Sequence, residues 1–147
     1  MDRIDELRGW IRSLALNLEL DLDLDENDVC TLEYSEGVCM SLMPSPSSEE
    51  HFVMIGPVMV LTRDPAVDYH IYRSALKLSF LGDQTWGGTL GLGVQDGFLV
   101  LGFTLPYDAC DEIVLENGIV NFTEAVGTLK DMIIKDLELL ISCQRGG

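Results

Sequence analysis

Residues 30–42 read CTLEYSEGVCMSL. Cys30, Leu32 and Tyr34 alternate with polar residues, and after Ser35-Glu36-Gly37 the alternation resumes at Val38, Met40 and Leu42. Alternation of period two marks a strand with one buried face. A three-residue loop, with Gly37 supplying positive φ, closes the two runs as a hairpin that sets Tyr34 opposite Val38 and Leu32 opposite Met40. In that register Cys30 and Cys39 point to opposite faces and cannot pair as a disulfide.

Upstream, Ile4, Leu7, Ile11, Leu14 and Leu18 recur at three- and four-residue steps, the stripe of an amphipathic helix. Gly9 within it costs about 1 kcal/mol relative to Ala, so this helix needs tertiary support. From Leu14 to Leu24 strand periodicity competes; the expectation is a helix to about Asn17, an extended segment Glu19–Asp25 and a polar turn at Glu26-Asn27-Asp28. Downstream, the low-complexity loop Pro44–Glu50 leads into Phe52–Leu61, apolar on both faces and interrupted only by Gly56-Pro57, which suggests a bulge or an edge position. Asp68–Leu81 reads as a second helix with Tyr69, Tyr72, Leu76 and Phe80 on one side. A second hairpin runs Thr89–Val94 and Phe98–Leu105 around Gln95-Asp96-Gly97. The last helix begins near Asp111, with Phe122, Val126, Leu129, Ile133, Leu137 and Leu140 at helical spacing and a break suggested at Asn117-Gly118. The expectation is therefore one α+β domain over residues 1–147. It has an antiparallel sheet of about five strands and three helices in the order α-β-β-β-α-β-β-α.

A chain of 147 residues buries roughly 70% of the surface its unfolded form exposes. It is 47% hydrophobic, which excludes a disordered acidic tail despite a net charge of −16. Ten carboxylates and no Lys or Arg lie between Ser13 and Thr62, and seven more with none lie between Leu78 and Leu129. Such a field repels phosphate backbones and anionic lipid, favours a basic partner and keeps an apolar surface soluble. The N-terminus has no apolar signal-peptide core and no run reaches membrane-spanning length, so the expectation is a cytoplasmic protein. Cys30, Cys39, Cys110 and Cys143 are then reduced, and in the absence of any C-x-x-C they read as small hydrophobes.

No motif calls for a metal, a cofactor or catalysis. Asp21, Asp23 and Asp25 imitate the start of a calcium loop, but Glu26 and Leu32 stand where that loop needs Gly and Glu. Gly87, Gly88, Gly91, Gly93 and Gly97 lack the lysine and the following helix of a phosphate cradle. His51 and His70 have no second His or Cys at ligand spacing. Arg145-Gly146-Gly147 leaves a helix, unlike the strand-borne tails of ubiquitin-like modifiers, and Cys143 is followed by four residues, so it forms no prenylation box. Phe52–Leu61 and the second hairpin, however, are apolar on both faces, more than one sheet with helices on one side can cover. Either the core is unusual or the spare faces need a partner: a second copy, a client chain, or both. Met40, Met43, Met54 and Met59 fall in the same strands, and thioethers suit a surface that accepts varied apolar side chains.

Leu18-Glu19-Leu20-Asp21, leading through Asp25-Glu26-Asn27 into Val29–Tyr34 and Gly37-Val38, resembles the class I (Tir-chaperone-like) chaperones of type III secretion. So do Thr89-Leu90-Gly91-Leu92 before Gly97, and Phe103-Thr104-Leu105-Pro106 before an acidic helix start. The ordered set, over most of Leu7 to Leu140, carries the resemblance. It implies a homodimer formed through the second helix and a neighbouring strand, with neither nucleotide nor metal and no enzymatic activity. The dimer would hold the N-terminal segment of a secreted effector in extended form and present it to the export apparatus. By position, Leu14, Leu18, Leu32, Tyr34, Val38 and Met40 would line the client groove, and Tyr72, Leu76, Phe80, Leu90 and Leu92 the dimer interface. The long Pro44–Glu50 loop and the doubled Leu-Asp repeat depart from the family. Two other readings stand beside this one: a small-molecule-binding or hydrolytic α+β enzyme with the apolar sheet as its pocket, and a chaperone of the same fold whose client is regulatory.

Overall fold

The computed structural model describes residues 2–35, 38–80, 85, 87–93 and 97–145. The expected turns at Glu36-Gly37 and Gln95-Asp96, Val94 at the end of its strand, the helix exit 81–84 with Trp86, and Gly146-Gly147 lie outside the described residues. The elements are α1 (Arg3–Leu18), β1 (Cys30–Ser35), β2 (Val38–Pro44), β3 (His51–Val60), α2 (Pro65–Ser79), β4 (Thr89–Gly93), β5 (Phe98–Pro106), a 3-10 turn (Tyr107–Ala109) and α3 (Glu112–Arg145). The strands form one antiparallel five-stranded sheet in the order β1-β2-β3-β5-β4, the α+β architecture expected from the hairpins.

Local chemistry sets the boundaries. The Asp2 side chain accepts the Ile4 N–H and opens α1, with Asp5 and Glu6 in the first turn complementing the helix dipole. Glu19, at φ 55°, ends α1 in the left-handed conformation. The N–H groups of Glu19 and Leu20 turn back to the carbonyls of Leu16 and Ala15. Leu20–Asp25 then runs without regular structure, and the Asp25 carboxylate accepts the N–H groups of Asn27 (2.8 Å) and Val29 (3.0 Å) to make the turn into β1.

The first hairpin keeps Leu32 opposite Met40 but departs from the expected register at its tip. Val38 pairs with Ser35, not Tyr34, because the register shifts between Glu33 and Ser35 and leaves Tyr34 as the extra residue of a bulge. α2 begins at Pro65, three residues before the expected start, since Asp64 caps it by accepting the Ala66 N–H at 3.0 Å. Asp68 instead reaches back to the Thr62 N–H and hydroxyl (both 2.8 Å) and the Arg63 N–H (3.0 Å). β3 runs unbroken through Gly56-Pro57. A Cβ at Gly56 would stand 2.9 Å from the Phe122 ring, so this glycine permits close approach. Nor does α3 break at Asn117-Gly118. Gly118 lies where a Cβ would meet the Met54 methyl at 2.9 Å, and it too is a packing glycine.

The chain forms two compact units: Met1–Gly56 with Gly102–Thr123, and Pro57–Leu101 with Glu124–Gly147. The first buries Leu7, Ile11 and Leu14 of α1 with Leu32, Met40, Leu42, Phe52, Leu115 and Phe122. Within it Trp10, Phe52 and Tyr107 form a ring cluster with centroids 5.2–6.2 Å apart. The second buries Val58, Ile71, Ala75, Leu78, Leu99, Leu101, Val126, Leu129 and Ile133.

Candidate binding surfaces

In the second unit α2 turns its smaller residues inward. Ile71, Ser74, Ala75 and Leu78 are buried, whereas Tyr69, Tyr72, Leu76 and Phe80 stand on the outside, the last two 74% exposed. Together with Arg73 and Lys77 they line an open concavity of about 560 Å³. α2 neighbours β4, where Leu92 is exposed and Leu90 half-buried. Exposure of four large apolar side chains on one helical stripe is unusual for a surface that meets only water.

In the first unit the six groove candidates separate by burial. Leu14, Leu32 and Met40 are core residues, Met40 only 1% exposed. Leu18 is 47% exposed, and Tyr34 and Val38 are half-buried on the hairpin of the edge strand β1. The sequence reading missed Leu16, 81% exposed, and Leu20, which surround Leu18 at the end of α1. The same even-numbered leucines that looked like strand alternation were their signal. Ile113, Val114 and Val120 of α3 are exposed too, and the Asn17 side-chain amide donates to Glu112 at 2.9 Å where the end of α1 meets the start of α3.

The acidic surface is organised by the three arginines of α1. Arg3 donates to Glu6, Glu50 and Asp108 (3.2, 3.0 and 2.6 Å) and lies over the Tyr107 ring. Arg8 pairs with Asp5 and Asp28, and Arg12 with Asp23. The Arg12 guanidinium and then the Leu24 N–H hold the Asp23 carboxyl below the usual range. Hydrogen bonds led by the Thr62 N–H do the same for Asp68. Burial, with nearby carboxylates, pushes the thiols of Cys30 and Cys110 up to about 11. All four cysteines are free thiols. His51 Nδ1 is 2.8 Å from the Ser48 hydroxyl, which also accepts the Glu50 N–H, so the pair closes a local turn. Among the described residues no cluster of three or more His, Cys, Asp and Glu is placed to hold a metal ion. No described helix is long and apolar enough to cross a membrane.

Residues 9–130 match the family described as Tir chaperone protein (CesT). The chain belongs to the Tir chaperone protein family. The match covers α1 from Gly9, the whole sheet, α2 and α3 as far as Lys130, and so includes both the α2 face and the Leu16–Leu20 surface. Solved structures with the same fold include the ExsC–ExsE complex (17% identity, TM-score 0.75, 90% of this chain and 97% of that one). The HopA1–SchA chaperone–effector complex is similar at 16% identity and TM-score 0.66, over 87% and 95%. The ExoT–SpcS complex from Pseudomonas aeruginosa is similar at 18% identity and TM-score 0.58, over 85% and 96%. At these identities the likeness to each structure is one of fold. No curated protein matches the chain in sequence.

Proposed function

We propose that this Tir-chaperone-family protein is a cytoplasmic homodimer that binds the N-terminal segment of a type III secretion effector and catalyses no reaction. It keeps that segment extended and hands it to the export apparatus. The observation that carries this reading is the pair of exposed apolar surfaces inside the family match: Leu16, Leu18 and Leu20 in one unit, and Leu76 and Phe80 with their tyrosines in the other. One surface serves the client and the other the second copy. That a solved structure of the same fold is a chaperone–effector complex supports an effector as the client.

Client contact is assigned to the exposed Leu18 with its neighbours and to half-buried Tyr34 and Val38 on the edge hairpin, where an extended chain can add backbone pairing. Leu14, Leu32 and Met40 act from beneath as the floor that shapes this surface. Tyr72, Leu76, Phe80, Leu90 and Leu92 are assigned to the dimer. The test is co-expression with an effector's N-terminal segment, comparing wild type with Leu18→Asp and Leu76→Asp. Leu18→Asp is expected to release the segment from an intact dimer, and Leu76→Asp to produce monomers. Retention of the segment by Leu18→Asp combined with a Val38→Asp change would overturn the client assignment.

A further inference from the structure

Beside the outward face of α2, in the same unit, a groove of about 290 Å³ runs between α2 and the C-terminal turns of α3. His70, Arg73, Ser74 and Lys77 line it from α2, and Asp136, Leu139, Leu140 and Cys143 from α3. Its α2 wall lies within the residues 9–130 that match the family and its α3 wall beyond them. The buried Ser74 hydroxyl donates at 2.6 Å to Asp136, the one carboxylate among the lining residues. Arg73 and Lys77 are exposed and make no ion pair among the described residues, in a chain with 25 acidic and nine Lys or Arg residues. By contrast, every arginine of α1 is paired. Leu139 and Leu140, meanwhile, remain exposed.

We infer that this groove docks an acidic, amphipathic helical segment of a partner protein other than the client. Two unpaired cations beside exposed leucines, on a molecule of net charge −16, select a ligand with carboxylates flanking apolar anchors. A channel walled by two helices takes a third helix whose anchors recur at three- and four-residue steps. A basic segment, which the rest of the surface would attract, is turned away here by Arg73 and Lys77. Because the groove shares Arg73 and Lys77 with the face assigned to the dimer, a second copy is the competing occupant.

The test uses the full chain and a fluorescein-labelled synthetic helix with Leu at its anchor positions and Glu on both flanks. Its controls are a Lys-for-Glu twin and an Ala-for-Leu twin. Anisotropy titration is expected to show at least tenfold tighter binding of the Glu/Leu peptide than of either twin. Arg73→Glu/Lys77→Glu should lose at least tenfold, and so should Leu140→Glu, with no change in circular dichroism. Leu18→Asp should leave this binding untouched, which separates the groove from the client surface. Equal binding of the three peptides, or unchanged binding to the charge-reversed variant, would overturn the inference. So would conversion of a dimer to a monomer by Arg73→Glu/Lys77→Glu, since the second copy would then be the occupant.

Discussion

Two thiols and two carboxylates show at the residue scale how burial and hydrogen bonding set chemistry. Cys30 and Cys110 stay protonated until about pH 11, whereas Cys143 is exposed at the end of α3. Since the thiolate is the reactive form, a thiol reagent at pH 7.5 should modify Cys143 quickly and leave Cys30 and Cys110 intact until the protein is unfolded. Peptide mapping of the labelled protein checks this. Asp23 and Asp68 have folded values below their unfolded values near 4. Each therefore binds a proton less readily when folded, and its stabilisation is present above about pH 4 and lost as pH falls through the lower folded value. For Asp23 the expected consequence is that residues 20–25 leave α1 on acidification, seen by NMR as a step that Asp23→Asn removes. Burial also separates residues that sequence spacing treats alike. Met40→Ala should cost about 2–5 kcal/mol in denaturant unfolding because a core side chain is lost, whereas Leu18→Asp should change stability little.

Helix glycines give the clearest prediction at the scale of elements. Gly9 in α1 and Gly127 in α3 are exposed, and a Cβ at either would meet nothing within 4 Å. Gly9→Ala and Gly127→Ala should each raise stability by about 0.5–1 kcal/mol in chemical denaturation, through helix propensity alone. Gly118→Leu should be destabilising, because Met54 already fills that space. The element order and the antiparallel sheet were legible in the sequence because hairpin alternation and helical stripes are local patterns. The tip register was not, since the alternation of apolar and polar residues is the same whether or not a bulge falls at Tyr34. The α2 start was missed by weighing Asp68 above Asp64-Pro65. Gly118 looked like a helix break because its partner, Met54, is distant in sequence. The periodicity of α2 located its apolar stripe correctly but could not say which way it faced. Leu140 continued the core stripe of α3 on paper, yet it is exposed where that helix runs past the buried residues.

At the scale of the whole molecule the account rests on apolar surface that only a partner covers. Burying one Leu contributes on the order of 2 kcal/mol, more than tenfold in affinity. Leu76→Asp should accordingly raise the dimer dissociation constant by at least that factor, with a far-UV spectrum like wild type because Leu76 is already outside the fold. Sedimentation velocity across a micromolar series measures it. The client reading is tested most directly by native mass spectrometry of the protein co-expressed with an effector, followed by limited proteolysis of the complex. The account predicts two 16.3 kDa chains bound to one effector, with the effector's N-terminal segment protected and giving no protection pattern of a folded domain. A single 16.3 kDa chain without a partner, or a complex in which the effector's N-terminal segment is cut as readily as in the free effector, would contradict it.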